Sequence, residues 1–174
     1  MTTTDSILKK FHGLNVWRRR AERAPHKPLL VLYTLGRLQA GAERMTSFDK
    51  IEAPLTRLLT EFGPPRKVPH PELPFYYLQT DGVWEIDTRV PLIRCKGSNT
   101  PMLTELRKHR IEGGFTKEIF ADLKRRPELV RELAYDLLRS HFPESLHTNI
   151  ASAVGWILRA SPDAENAMRA FARR

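Results

Sequence analysis

In the segment APHKPLL, His26 and Lys27 stand at the mouth of a leucine-rich helical pattern. The first turn of a helix has backbone N–H groups without partners, so a cation placed there suits an anionic ligand such as phosphate. Arg18, Arg19, Arg20 and Arg23 lie just upstream, either within reach of the same ligand or coating a solvated turn. A second basic projection, Arg66, Lys67 and His70, sits in the proline-rich stretch PPRKVPHPELP. Stiffness there lowers the entropy lost when these side chains are presented to a ligand. A third set, Arg94, Lys96, Ser98 and Asn99, surrounds a short polar loop. Donors of these types are the ones that contact a nucleic-acid backbone.

Catalytic chemistry is much less well supplied. The six histidines are His12, His26, His70, His109, His141 and His147. His141 and His147 bracket HFPESLH, but that spacing, with a proline between, does not put both rings on one helix face, so structural roles are expected. No HExxH, GxSxG or Walker loop is present. A His-Asn-His nuclease site needs a histidine-bearing β-hairpin before a metal-binding helix, and residues 141–149 do not supply it. The single cysteine, Cys95, excludes an internal disulfide and a Cys/His zinc set, and fits a reducing cytoplasm. The chain reads as non-catalytic, with neither metal nor cofactor.

The totals point the same way. With 174 residues, 41% hydrophobic and 28% charged, the chain has the make-up of one globular domain. No apolar run approaches the roughly 18 residues needed to span a bilayer, and MTTTDSILKKFHG is not a secretory signal. The formal charge is +9 and the pI about 10.0. Residues 1–30 are the most lopsided, with seven Lys/Arg against two Asp/Glu. Such a surplus favours nucleic acid as partner.

Several elements must position these residues. Thr4 or Asp5 caps a short helix that turns Ile7, Leu8, Phe11 and Leu14 inward. HKPLLVLYTLGRLQAG is a buried helix with Pro28 near its start and Gly41 near its end. MTSF suggests a short edge strand, and Asp49 caps a helix closed by Gly63. FYYLQTDGVWEI reads as a β-hairpin, strands 75–79 and 83–86 around an Asp-Gly turn, with Tyr76 and Tyr77 on opposite faces and Trp84 in the core. In CKGSNTPMLTELRKHR, Thr100 caps a helix from Pro101 to about residue 109, closed by a turn at Gly113-Gly114. Cap, proline and helix account for that stretch without any ligand. Thr116, Pro127 and Pro143 open further helices, and a last one runs from about Pro162. RAFARR continues a helical pattern without a stop, which suggests further chain beyond Arg174. The fold expected is α+β and predominantly helical: N-terminal helices and a winged-helix-like β-hairpin over 1–95, then a helical half over 96–174, in one domain.

HKPLLVLYTLGRL, FGPPR, HPELPFYYLQTDGVWEI, the Gly-Ser-Asn-Thr-Pro loop, IEGGF and LLRSHFPESLHTNI occur in that order. Together, over residues 14–160, they resemble the sulfur-binding domain of bacterial type IV, McrA-like restriction endonucleases. The resemblance implies recognition of double-stranded DNA in which sulfur replaces a non-bridging phosphate oxygen in the Rp configuration. It also implies a separate His-Asn-His nuclease domain, usually C-terminal, which this chain lacks. In that family the sulfur cavity is built around a proline at a helix start, with a tyrosine before it and an alanine three positions on. Mapped onto the Thr-Pro loop, the proline is Pro101, and Thr100 and Thr104 take the flanking positions, both departures from the pattern. His26, Lys27, Arg66, Lys67, His70, Arg94, Lys96, Ser98 and Asn99 are the DNA contacts expected from charge and position. The alternative is a winged-helix regulator that binds unmodified DNA.

Overall fold

The computed structural model describes residues 3–156, apart from residues 17, 20, 21 and 66. The helix expected from Pro162, and Arg66, lie outside the described residues. The chain runs α1 (Thr3–His12), a small hairpin β1 (Arg18–Arg19) and β2 (Glu22–Arg23), α2 (His26–Gln39), β3 (Thr46–Ser47) and α3 (Phe48–Phe62). It continues through α4 (Glu72–Tyr77), a 3-10 turn (Leu78–Asp81), β4 (Trp84–Asp87), α5 (Leu103–Lys108) and β5 (Glu112–Phe115). Three helices complete the described part: α6 (Lys117–Arg125), α7 (Pro127–His141) and α8 (Glu144–Ala153). The class is α+β and predominantly helical, as expected. No described helix is long and apolar enough to cross a membrane.

Helix α2 is apolar nearly all round and therefore takes the centre, packed against α3, α4 and α7. Leu29, Leu30, Val31, Leu32 and Leu35 are buried in it. Pro28 lies in the first turn, where its missing N–H leaves no bond unmade. α1 and the turn after it close one side through Ile7, Phe11 and Leu14. It is tied to α7 by His12 Nε2, 3.1 Å from an oxygen of Asp136. Burial disfavours the charge on Asp136, but hydrogen bonds from Arg139 and His12 outweigh it and hold the carboxyl below its usual value.

The hairpin expected over residues 75–86 does not form. Phe75, Tyr76 and Tyr77 belong to α4, the next four residues are a 3-10 turn, and only the second arm is a strand. The aromatic, β-prone run is overridden by its packing, as strand propensity often is. Gly82, in the left-handed conformation at φ 70°, ends the turn and redirects the chain into β4. β4 pairs not with residues 75–79 but with β5, antiparallel, Trp84 opposite Phe115 and Ile86 opposite Gly113. The sheet order is β3-β5-β4, so the predicted edge strand at MTSF is present.

Gly113 and Gly114, expected to form a turn, are therefore the middle of the central strand. A Cβ on Gly113 would lie 2.7 Å from the ring of Phe75 and 2.9 Å from Trp84. On Gly114 it would lie 2.0 Å from the backbone oxygen of Arg44. At these two positions both faces of β5 are thus occupied too closely for a side chain. Phe75 sits edge-on to Phe48 and Trp84, and Trp84 to Phe115, so one aromatic cluster fastens α4 to the sheet.

The loop after β4 also differs from expectation. Pro101 does not begin a helix; it pairs with Arg94 in an isolated antiparallel bridge, and α5 starts after the cap residue Met102. Cys95 N–H donates to the Thr100 carbonyl and Met102 N–H to that of Ile93, at 2.9 Å each. Those bonds flank the Arg94–Pro101 pair, so the proline occupies a ladder position where no N–H is needed. A tight turn at residues 95–98, with Gly97 at φ 73°, closes the loop tip.

Two stability predictions follow from this packing. Gly114→Ala is expected to destabilise the domain by about 1–3 kcal/mol, as overpacking against immovable backbone does, read from urea midpoints. The Asp136 carboxylate contributes stability above its usual pKa of 3.8, lost as pH falls through the depressed folded value. Asp136→Asn should therefore narrow the stability difference between pH 6 and pH 3 in the same urea titrations (both about these values).

Candidate nucleic-acid interface

A cleft of about 510 Å³ opens between the start of α2 and the outer face of α4. Its walls are Asn15 and Val16 after α1, Ala24, His26 and Lys27 at the α2 mouth, and Leu73, Pro74, Tyr77 and Thr80. Most of that lining is apolar carbon. α2 has no acidic residue in its first turn and no side-chain cap, so its N–H ends favour an anion at this mouth. Pro74 stands in the first turn of α4, with Leu73 before it and Tyr77 three positions after. Pro71 at the cap and Glu72 in the first turn are helix-start signals; the aromatic run behind them hid the helix.

Lys27 lines this cleft, but its ammonium is not turned to a ligand. Its Nζ is 2.6 Å from one oxygen of Asp81, whose side chain is only 4% exposed. The other Asp81 oxygen accepts the Asn15 backbone N–H at 2.7 Å. One buried carboxylate thus ties together the Asn15 wall, the α2 wall and the turn that follows α4. Asp81 was not expected from sequence as a site residue; its partner lies 54 positions away, and no local pattern announces such a pair.

The polar loop is fastened to the same helix. Tyr77 Oη lies 3.0 Å from the Thr100 hydroxyl, which is 2.9 Å from the Ser98 hydroxyl. Arg94 donates to Tyr76 Oη at 2.7 Å and to the Asn99 carbonyl, and its guanidinium stands over the Tyr76 ring. Tyr76 and Tyr77, expected on opposite faces of a strand, instead hold one loop from adjacent positions of a helix. Lys96, Ser98 and Asn99 are exposed at its tip.

The expected residues therefore divide. His26 and Lys27 share the cleft; Lys67 lies in an adjoining cleft of about 310 Å³ that also contains His26. His70 is half-exposed and lies 2.9 Å from Glu72. Arg94 is exposed but engaged with Tyr76 and Asn99. Of the residues expected to form the sulfur cavity, Thr100 and Pro101 are buried, Thr104 is exposed on α5, and none lines this cleft. A helix start beside a concave apolar surface occurs at Pro74. Among the described residues, no group of three or more His, Cys, Asp or Glu side chains is arranged to hold a metal.

Solved structures share this architecture. The sulfur-binding domain of ScoMcrA complexed with phosphorothioated DNA matches with a TM-score of 0.75 at 21% identity, over 89% of this chain and 96% of that one. The sulfur-binding domain of SprMcrA, also complexed with phosphorothioated DNA, matches at 0.74 and 19%, over 88% and 94%. The type IV phosphorothioation-dependent restriction endonuclease ScoMcrA matches at 0.72 and 20%, over 89% of this chain and 32% of its own. No curated protein matches. The fold is that of a sulfur-binding domain. At the level of sequence, residues 4–158 match the family model of the ScoMcrA-like DNA sulfur-binding domain, and the chain belongs to that family.

Removing Arg94 tests the loop assignment. Arg94→Ala is expected to speed amide exchange at Cys95 and Met102, whose N–H bonds close the loop, while the β5 amides keep their protection. Hydrogen exchange followed residue by residue measures both.

Proposed function

We propose that this chain binds double-stranded DNA carrying an Rp phosphorothioate, and that the cleft between α2 and α4 receives the sulfur. Leu73, Pro74 and Tyr77 carry the proposal: an apolar wall at a helix start, facing the uncapped end of α2. Family membership supports it, as do relatives solved with phosphorothioated DNA. Sulfur is larger and more polarizable than oxygen, and it accepts hydrogen bonds poorly. A discriminating site therefore offers it carbon and directs donors at the remaining oxygen. Pro74 presents carbon and no N–H. Leu73 and Tyr77 stand where the family has tyrosine and alanine, so this cavity has its own shape, and Thr100 supports it from behind through the Tyr77 hydroxyl.

His26, Arg66, Lys67, His70, Arg94 and Lys96 supply salt-dependent backbone affinity, and Ser98 and Asn99 reach base edges. Lys27 takes part through its pairing with Asp81. The chain acts as the recognition domain of a cytoplasmic modification-dependent restriction system whose nuclease, of His-Asn-His type, is a separate domain of a longer protein. The winged-helix alternative needs a strand where residues 75–77 are helical, and nothing else favours it.

The test is a titration against matched duplexes bearing Rp sulfur, Sp sulfur or none, with and without divalent metal. Rp binding should be tightest by about tenfold or more, a difference of about 1.4 kcal/mol, with no cleavage. Equal affinity for the three duplexes overturns the proposal. Leu73→Glu should abolish the preference, and Thr104→Glu, on exposed α5, should leave it intact; the reverse result would move the cavity back toward Pro101.

A further inference from the structure

Among the described residues, Lys27 is the one lysine in the cleft wall, and a lysine ammonium is a hard donor that favours phosphate oxygen over sulfur. Left unpaired at this position, it would work against the selectivity of the carbon around it. Asp81 removes that conflict. Its Oδ2 lies 2.6 Å from Lys27 Nζ, and the two side chains are only 13% and 4% exposed. The pair is net neutral, and the ammonium is aimed at the carboxylate rather than across the cleft. The second carboxylate oxygen, held by the Asn15 N–H, prevents Asp81 from swinging away.

We infer that Asp81 is a positioning residue for sulfur selectivity: by holding the Lys27 ammonium, it withholds from the ligand a donor that would reward ordinary phosphate. This inference rests on the sulfur-cleft reading above. It assigns discrimination to a charge balance behind the cleft wall as well as to the apolar surface of the wall. Electrostatic attraction to DNA then comes from the exposed groups at the rim, which do not distinguish sulfur from oxygen.

Asp81→Asn tests it, because the amide keeps an acceptor for Asn15 N–H while releasing the ammonium. Affinity for the unmodified duplex should rise by about tenfold, and its log–log salt slope should steepen by about 0.9, the signature of one more phosphate contact. The modified duplex should gain less, so the sulfur-to-oxygen ratio falls. The double variant Asp81→Asn/Lys27→Met restores a neutral pair without the donor and should recover both the wild-type ratio and the wild-type slope. A variant that only damaged the cleft would weaken both duplexes in proportion, and the second substitution would not rescue it; that outcome overturns the inference. So does an unchanged ratio and slope in Asp81→Asn. Thermal melts of each variant report folding. A wild type without sulfur preference refutes the cleft reading instead, while the affinity and slope for unmodified DNA still report whether Asp81 restrains Lys27.

Discussion

Everything at the cleft depends on one close contact, the ring of Phe75 seated on the bare face of Gly113. A six-residue helix such as α4 has little stability of its own, because nucleating a helix is costly and few bonds follow to offset it. It holds its place because Phe75 is wholly buried among Phe48, Trp84 and the central strand. That burial contributes about 1.5–3 kcal/mol in transfer alone. With Phe75 fixed, Pro74 and Tyr77 are held in the cleft wall beside the α2 mouth. The sheet is small, and its chief service is to supply the flat glycine surface on which this helix rests.

From that anchor, order spreads outward through polar contacts of different character. Inside, Asp81 binds Asn15 and Lys27 in a nearly dry setting, where losing one partner would strand a charge. Outside, the Tyr76 and Tyr77 phenols hold the 93–102 loop through Arg94 and Thr100. The first set defines the width and charge of the cleft. The second fixes where the loop stands relative to it. Both converge on α4 and the turn after it, so the cleft and the loop are coupled through a single short segment.

The longer helices were legible because their periodicity and punctuation agree. α2, α3 and α7 show apolar faces where expected, although α3 starts at Phe48 after Ser47 and takes Asp49, the expected cap, into its first turn; Thr116 caps α6 by accepting the Ile119 N–H. Where local signals and packing disagree, sequence misleads. Phe-Tyr-Tyr-Leu favours a strand in isolation, yet it is buried as a helix. A Gly-Gly pair suits a turn as well as a crowded strand, and only the neighbours at Phe75 and Arg44 distinguish the two. The same ambiguity affected the site. Pro101 precedes one helix and Pro74 lies in the first turn of another, and only the second was hidden by a strand-like run. The position of His26 and Lys27 at a helix mouth was visible in sequence; the Asp81 partner of Lys27 was not, since nothing local records a contact across 54 positions.

The 93–102 loop closes through backbone bonds to itself, and its moorings are Arg94, Thr100 and Ser98. The side chains of Lys96 and Asn99 at the tip take no part in those moorings. Substitutions at these two positions are therefore largely uncoupled from the core. Such a loop behaves as an exchangeable cassette: its tip can drift without re-solving the problem of folding.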